Sequence, residues 1–206
     1  KAAGANTLVH VSALGADLNS LSVYASTKAA GEESAAQAFP GAKIIRPSIV
    51  FGPEDNFFNK FSELARICPA LPLIGAGRTN FQPVYVGDVA AAIVTAAQTR
   101  GTQTTVYELG GPRVYNFVTL MRMMLGQIDR RRILVPVPFS AAMILATFTE
   151  LLPIPVLTRD QVRLLRHDNI LSGDALGLKD LGIEATALET VLPTYLKRFR
   201  RGVWHT

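Results

Sequence analysis

The chain is poor in the residues that build metal sites and covalent frameworks. It has one cysteine, Cys68, and three histidines, His10, His167 and His205. One thiol forms no intrachain disulfide, so nothing demands an oxidising compartment. The histidines are scattered and match no metal-ligand spacing. No apolar run reaches the roughly 18 residues of a membrane span. The best stretch, VPVPFSAAMILATFTELLP (135–153), is broken by Pro136, Pro138 and Pro153 and reads as a buried or interfacial helix. Aromatic residues make up 8% of the chain, and no stacking set is interleaved with its basic runs, which argues against nucleic acid. There is no initiator Met and no signal-peptide pattern. KAAGANTLVHVSA instead reads as the tail of a helix entering a buried strand, so Lys1 is expected to lie inside a longer protein.

What is present suits a globular protein: 206 residues, 49% hydrophobic and 18% charged, enough for one domain plus a small appendage. The net charge of +5 gathers late, in Arg130-Arg131-Arg132 and Lys197-Arg198-Phe199-Arg200-Arg201. Such runs are usually solvated helix ends, and they also suit phosphate, anionic lipid or an acidic partner.

Residues 7–13 and 42–53 are apolar and β-rich, with a helix between them over 22–39 that starts at Ser20 or Ser22 and stops at Pro40-Gly41. Strands apolar on both faces predict parallel pairing under covering helices. Further helices are predicted over 59–68, 89–98 with Asp88 as N-cap, 117–128, 140–151, 158–166 and 186–201. Further strands fall at 71–77, 81–86, 105–111 and 132–138. The fold class is α/β: a Rossmann-like parallel sheet over 1–115, then a small α-rich subdomain over 116–206 with contributions from 53–80.

Within SVYASTKAAGEESAAQAF, Tyr24 and Lys28 share one helix face. A phenol with a pKa near ~10 must be pulled down to work near neutral pH, and an ammonium held beside it does this. The alternative is a half-buried Tyr beside a Lys that extends to water. Tyr-x-x-x-Lys alone arises by chance roughly 0.15 times in such a chain, so the pair is informative only in context. A strand ending in Ser12 precedes it, and Arg46-Pro47-Ser48-Ile49-Val50-Phe51-Gly52-Pro53 follows. Gly75-Ala76-Gly77 and Phe81-Gln82-Pro83-Val84-Tyr85-Val86-Gly87-Asp88-Val89-Ala90 come later.

Over roughly residues 5–115 this order of motifs resembles the extended and atypical short-chain dehydrogenase/reductase superfamily. VSALGAD, YASTKAAGE, IIRPSIVFGPEDNFFNKF and FQPVYVGDVAAA are most similar to one branch of it, the NAD(P)H-binding accessory subunits of respiratory complex I and their bacterial relatives. That branch is thought to hold a nucleotide without turning over substrate. The resemblance implies NAD or NADP as cofactor. It makes Tyr24 and Lys28 the matches of the catalytic pair, with Lys28 on the nicotinamide ribose. Pro47, Ser48, Ile49 and Val50 become the segment that meets the nicotinamide, and Ser12 the match of the carbonyl-polarising serine. It also implies complex I subunits as partners and a place on the cytoplasmic face of a bacterial inner membrane or on the mitochondrial matrix side. Peripheral lipid contact would fall to the C-terminal third.

The sequence departs from the superfamily pattern twice. Ser12 is followed by Ala13-Leu14-Gly15, where extended enzymes carry two or three hydroxyls, which speaks against epimerase or dehydratase chemistry. No Gly-rich pyrophosphate turn follows a strand, so the adenine side of the site is expected upstream of Lys1. The other readings are an NAD(P)-dependent reductase or dehydrogenase or a nucleotide-sugar epimerase, each using the Tyr24/Lys28 pair, and a redox-sensing binding module. Asp88 reads as a cap, Arg46 as a strand-end arginine paired with an acid, His10 as a satisfied core histidine, and Asp17, Glu54 and Asp55 as loop solvation.

Overall fold

The computed structural model describes residues 4–99, 101–151, 153 and 157–200. In chain order its elements are β1 (Val9–Val11), α1 (Val23–Ala38), β2 (Lys43–Pro47), β3 (Val50–Phe51), α2 (Phe58–Ile67), β4 (Ala70–Ile74), β5 (Asn80–Phe81), β6 (Val84–Tyr85), α3 (Val86–Gln98), β7 (Thr105–Leu109), β8 (Tyr115–Asn116), α4 (Phe117–Gln127), β9 (Ile133–Val137), α5 (Phe139–Thr149), α6 (Arg159–Leu164) and α7 (Leu188–Leu196). They form two compact units. The first comprises Lys1–Val50, Gln82–Arg113 and Asn169–Ala187. The second comprises Phe51–Phe81, Val114–Asp168 and Leu188–Thr206.

The first unit is built on a parallel sheet in the order β1-β2-β7. β2 is buried at Lys43, Ile44, Ile45 and Pro47, as a parallel strand covered on both faces must be. Ile45 and Leu109 pack with Val84, Val89, Ala92 and Ala96 into one core. Helix α1 presents small residues inward. Ala25 and Ala29 are buried, and a Cβ on Gly31 would stand 3.3 Å from His10 Nε2. Ser22 caps the helix, its Oγ accepting from Ala25 N at 3.2 Å. His10 Nε2 is buried with no hydrogen-bond partner among the described residues, so the expected satisfied histidine is corrected.

Three local expectations shift. The strand over 42–53 divides into β2, ending at Pro47, and β3, starting at Val50. The strand over 81–86 breaks at Gln82-Pro83, where proline has no N–H for a ladder. Helix α3 begins at Val86, before Asp88, so Asp88 is not its N-cap. Its buried carboxylate instead accepts from Thr186 N at 2.7 Å and Thr186 Oγ1 at 2.8 Å.

The second unit is mainly helical. Phe57, Phe58, Phe61, Phe81 and Phe117 form a tilted and edge-to-face ring cluster with centroids 5.0–6.2 Å apart. Asp55 is a structural group and not loop solvation. Its Oδ1 accepts from Phe57 N, Phe58 N and Asn59 N at 2.9, 2.6 and 3.3 Å, capping α2, and its Oδ2 accepts from the Tyr195 hydroxyl at 2.6 Å. The basic runs are also tied down. Arg130, Arg132, Arg198 and Arg200 donate to the carbonyls of Phe199, Ala65, Pro53 and Gln127. Residues 201 and 205, in the basic tail and the histidine set, lie outside the described residues. No helix among the described residues is long and apolar enough to cross a membrane.

Candidate functional site

Parallel strands leave their carboxyl ends open to a ligand. β1 and β2 end side by side, and the loops that follow are stitched together, with Leu14 N donating to Pro47 O at 2.9 Å. Ser12 N bonds Ile45 O at 2.8 Å, which continues the ladder past β1. The Ser12 side chain is buried and its Oγ has no hydrogen-bond partner among the described residues. A buried hydroxyl without a partner costs about 1–3 kcal/mol, so it is a group that a ligand or a water would satisfy.

Helix α1 brings Tyr24 and Lys28 to the same edge. Lys28 Nζ donates to Val11 O at 3.4 Å, the residue before Ser12, and lies 5.7 Å from the Tyr24 ring centroid. The helix start at Ser22 fixes this, since Tyr24 and Lys28 then fall one turn apart in its first two turns. Tyr24 is 47% exposed. Partial burial pushes its phenol above the ordinary value of 10.0. That direction is opposite to the lowering that an ammonium held beside the phenol would produce.

Pro47 to Val50 follow β2. Ser48 N donates to Leu109 O at 2.9 Å. Asn169, which nothing in the sequence singles out, holds the rest. Its Oδ1 accepts from Ser48 Oγ at 2.6 Å and Ile49 N at 3.2 Å, and its Nδ2 reaches Leu14 O at 3.5 Å. Its backbone carbonyl accepts from Gln82 N at 3.0 Å. One side chain from an irregular segment thus ties both loops of the site together.

Behind this edge lies an ion-pair network. Arg46 donates to both oxygens of Glu32 at 2.8 and 2.6 Å and lies 3.8 Å from Glu108. The Glu32 hydrogen bonds hold the guanidinium above its ordinary value. Glu108 Oε2 accepts from Ser172 N at 2.8 Å and Ser172 Oγ at 2.7 Å. Arg46 is therefore the expected strand-end arginine paired with an acid. Glu108, which the sequence reading did not single out, stands opposite Arg46 in the β2–β7 register.

Ser12, Tyr24, Lys28 and the Pro47–Val50 segment all belong to the first unit. Their donor set of an ammonium, a phenol, a hydroxyl and backbone amides suits a ligand rich in hydroxyl and carbonyl oxygens. A separate cavity of about 570 Å³ in the second unit, lined by Arg78, Phe139, Leu165, Arg166 and Asp168 among others, includes none of them.

Comparison with known proteins gives the chain its relatives. The family model described as RmlD substrate binding domain matches residues 15–146. NADH dehydrogenase (ubiquinone) 1 alpha subcomplex subunit 9, mitochondrial, of Arabidopsis thaliana is 37% identical over 204 residues, 94% of this chain and 51% of that protein. The protein of the same name from Mus musculus is 35% identical over 206 residues, 99% of this chain and 54% of that protein. The chain thus spans about half the length of the curated relatives it matches. Among solved structures, the UDP-glucose 4-epimerase of Thermus thermophilus in complex with NAD superposes with a TM-score of 0.62 at 16% identity. That superposition covers 97% of this chain and 66% of the epimerase. It establishes the Rossmann-like α/β fold.

Proposed function

The chain belongs to the RmlD substrate binding domain family, and from that premise we propose that it is part of an NAD(P)H-binding accessory subunit of a respiratory NADH:quinone oxidoreductase. The match along nearly its whole length to two NADH dehydrogenase subunits carries this reading. The site supports it chemically. Lys28 and Tyr24 hold the nicotinamide ribose, the backbone of Pro47 to Val50 meets the nicotinamide end, and Ser12 Oγ gains the partner it lacks among the described residues. A bound NADH or NADPH supplies a hydride donor. This chain's residues bind and orient, with the Tyr24 phenol as a hydrogen-bond donor. The cofactor is NAD or NADP, and the partners are other subunits of the complex, with lipid contact through the C-terminal third. The location is the matrix side of the mitochondrial inner membrane or, in a bacterium, the cytoplasmic face of the inner membrane.

A second reading, an NAD(P)-dependent reductase, is favoured by one observation: the buried, unpartnered Ser12 hydroxyl at the strand end whose carbonyl Lys28 contacts. The two readings separate when the full-length protein is expressed at native level, its membranes are mildly solubilised, and its migration is followed by size. Co-migration with a large NADH-oxidising assembly is the expected result. A free monomer or dimer with carbonyl-dependent NAD(P)H oxidation establishes the reductase.

A further inference from the structure

Helix α5 carries large apolar residues on two faces, with Phe139 and Met143 packed against the core of its own unit. Its buried positions are the alanines Ala142 and Ala146, while Ile144, Leu145 and Phe148 are 62%, 49% and 66% exposed, and Leu151 just beyond its end is 82% exposed. These four fall at i, i+1, i+4 and i+7, which is one face. A surface helix ordinarily turns its large apolar residues inward and its polar ones out. Here no charged residue occurs between Arg132 and Glu150, and Glu150 is paired with Arg159 at 2.7 Å. A contiguous face of this kind marks an interaction surface.

The distribution of charge selects what covers it. Among the described residues the second unit holds thirteen Lys or Arg against eight Asp or Glu, a net +5, and the first unit holds five against eight, a net −3. All of the chain's excess positive charge therefore resides in the unit that carries the bare apolar helix. An apolar protein partner has no use for that excess. An anionic bilayer uses both features, with acyl chains for the stripe and a negative headgroup layer for the cations. At 11 residues α5 is about 16 Å long, too short to span a bilayer and suited to lie in its interface.

We propose that α5 docks in the interface of an anionic phospholipid bilayer, with Ile144, Leu145, Phe148 and Leu151 among the acyl chains and the basic side chains of the same unit against headgroup phosphates. The inference deepens the accessory-subunit reading by naming the surface that meets the membrane, and its test does not depend on assembly. Purified full-length protein is sedimented with vesicles of phosphatidylcholine alone and with vesicles containing about one third phosphatidylglycerol. Binding to the anionic vesicles is expected, weakened by added salt. The Ile144→Ser/Phe148→Ser double variant is expected to bind at least about tenfold more weakly with an unchanged melting temperature.

Equal binding of wild type and variant overturns the proposal. So does the absence of vesicle binding, whether because a dimer seen by light scattering covers the face or because the variant melts lower and the face is already packed within the chain. Vesicle binding without co-migration in the respiratory assembly refutes only the accessory-subunit reading. Co-migration without vesicle binding refutes only the docking of α5.

Discussion

Replacing Asn169 by alanine probes how the site is held. The substitution removes the acceptor for Ser48 Oγ at 2.6 Å and Ile49 N at 3.2 Å, together with the long contact to Leu14 O at 3.5 Å. Ser48 is buried, so its hydroxyl loses a partner away from bulk water, although Asn169 O remains 3.2 Å from it. One lost hydrogen bond is worth about 0.5–1.5 kcal/mol, and a stranded buried donor costs about 1–3 kcal/mol. The sum for Asn169→Ala is about 2–4 kcal/mol, which corresponds to a fall in Tm of roughly 5–15 °C for a domain of this size. Thermal unfolding of the full-length protein followed by circular dichroism measures it. Ser48→Ala is the control. It removes one bond while leaving Ile49 N paired, so its loss should be smaller, and the double variant should fall short of additivity by about 1 kcal/mol. Because the same side chain fixes the backbone of Ile49, Asn169→Ala should also weaken NADPH binding by more than Ser48→Ala does. A Tm within about 2 °C of wild type, or strict additivity with Ser48→Ala, refutes the view that Asn169 secures this edge of the site.

Other perturbations bear on other parts of the fold. Asp55→Ala removes the acceptor for two amides of α2, for the Phe57 amide just before it and for the Tyr195 hydroxyl, and should cost about 2–4 kcal/mol in chemical denaturation. Burial, then the Asp55 carboxylate, raises the Tyr195 phenol far above its ordinary 10.0. The folded state therefore keeps a proton that the unfolded chain releases. The stability this represents is complete below about pH 10 and is lost as pH rises beyond it, so Tyr195→Phe should show a shallower alkaline decline in a pH series of melting curves. Gly111→Ala would drive a Cβ into the Pro83 carbonyl oxygen, a backbone atom, and should lower the yield of folded protein sharply, as read by size-exclusion chromatography. Tyr24→Phe should leave respiratory assembly and NADH oxidation unchanged. Loss of activity in a normally folded variant would move the case to the reductase.

The parts of the molecule that were legible in the sequence are those governed by local patterning. The start of α1 at Ser22, the helix at Phe117 and the parallel sheet all follow from caps, periodicity and strands without a polar face. Tyr24 and Lys28 were legible because helix spacing puts them together before any tertiary contact forms. The rest depends on partners far away in the chain. Asn169 reaches Ser48 across 121 positions, and Asp55 meets Tyr195 across 140. Neither residue sits in a periodic pattern, and a lone polar residue in a loop looks the same whether it is solvated or structural. Asp88 shows the same limit from the other side, since a residue type suited to capping bonds Thr186 across 98 positions instead. The exposed apolar face of α5 was hidden because apolar content identifies a helix without saying which face is covered.

The most direct test of the account is the dinucleotide content of the full-length protein purified from its own host. It should be compared between wild type, Tyr24→Phe and Lys28→Ala and followed over hours in the presence of carbonyl compounds. The account predicts that wild type and Tyr24→Phe retain NADH or NADPH at close to one per chain without consuming it, and that Lys28→Ala loses it while remaining folded. Bound dinucleotide that is oxidised in wild type and not in Tyr24→Phe would contradict the account and make Tyr24 a catalytic residue.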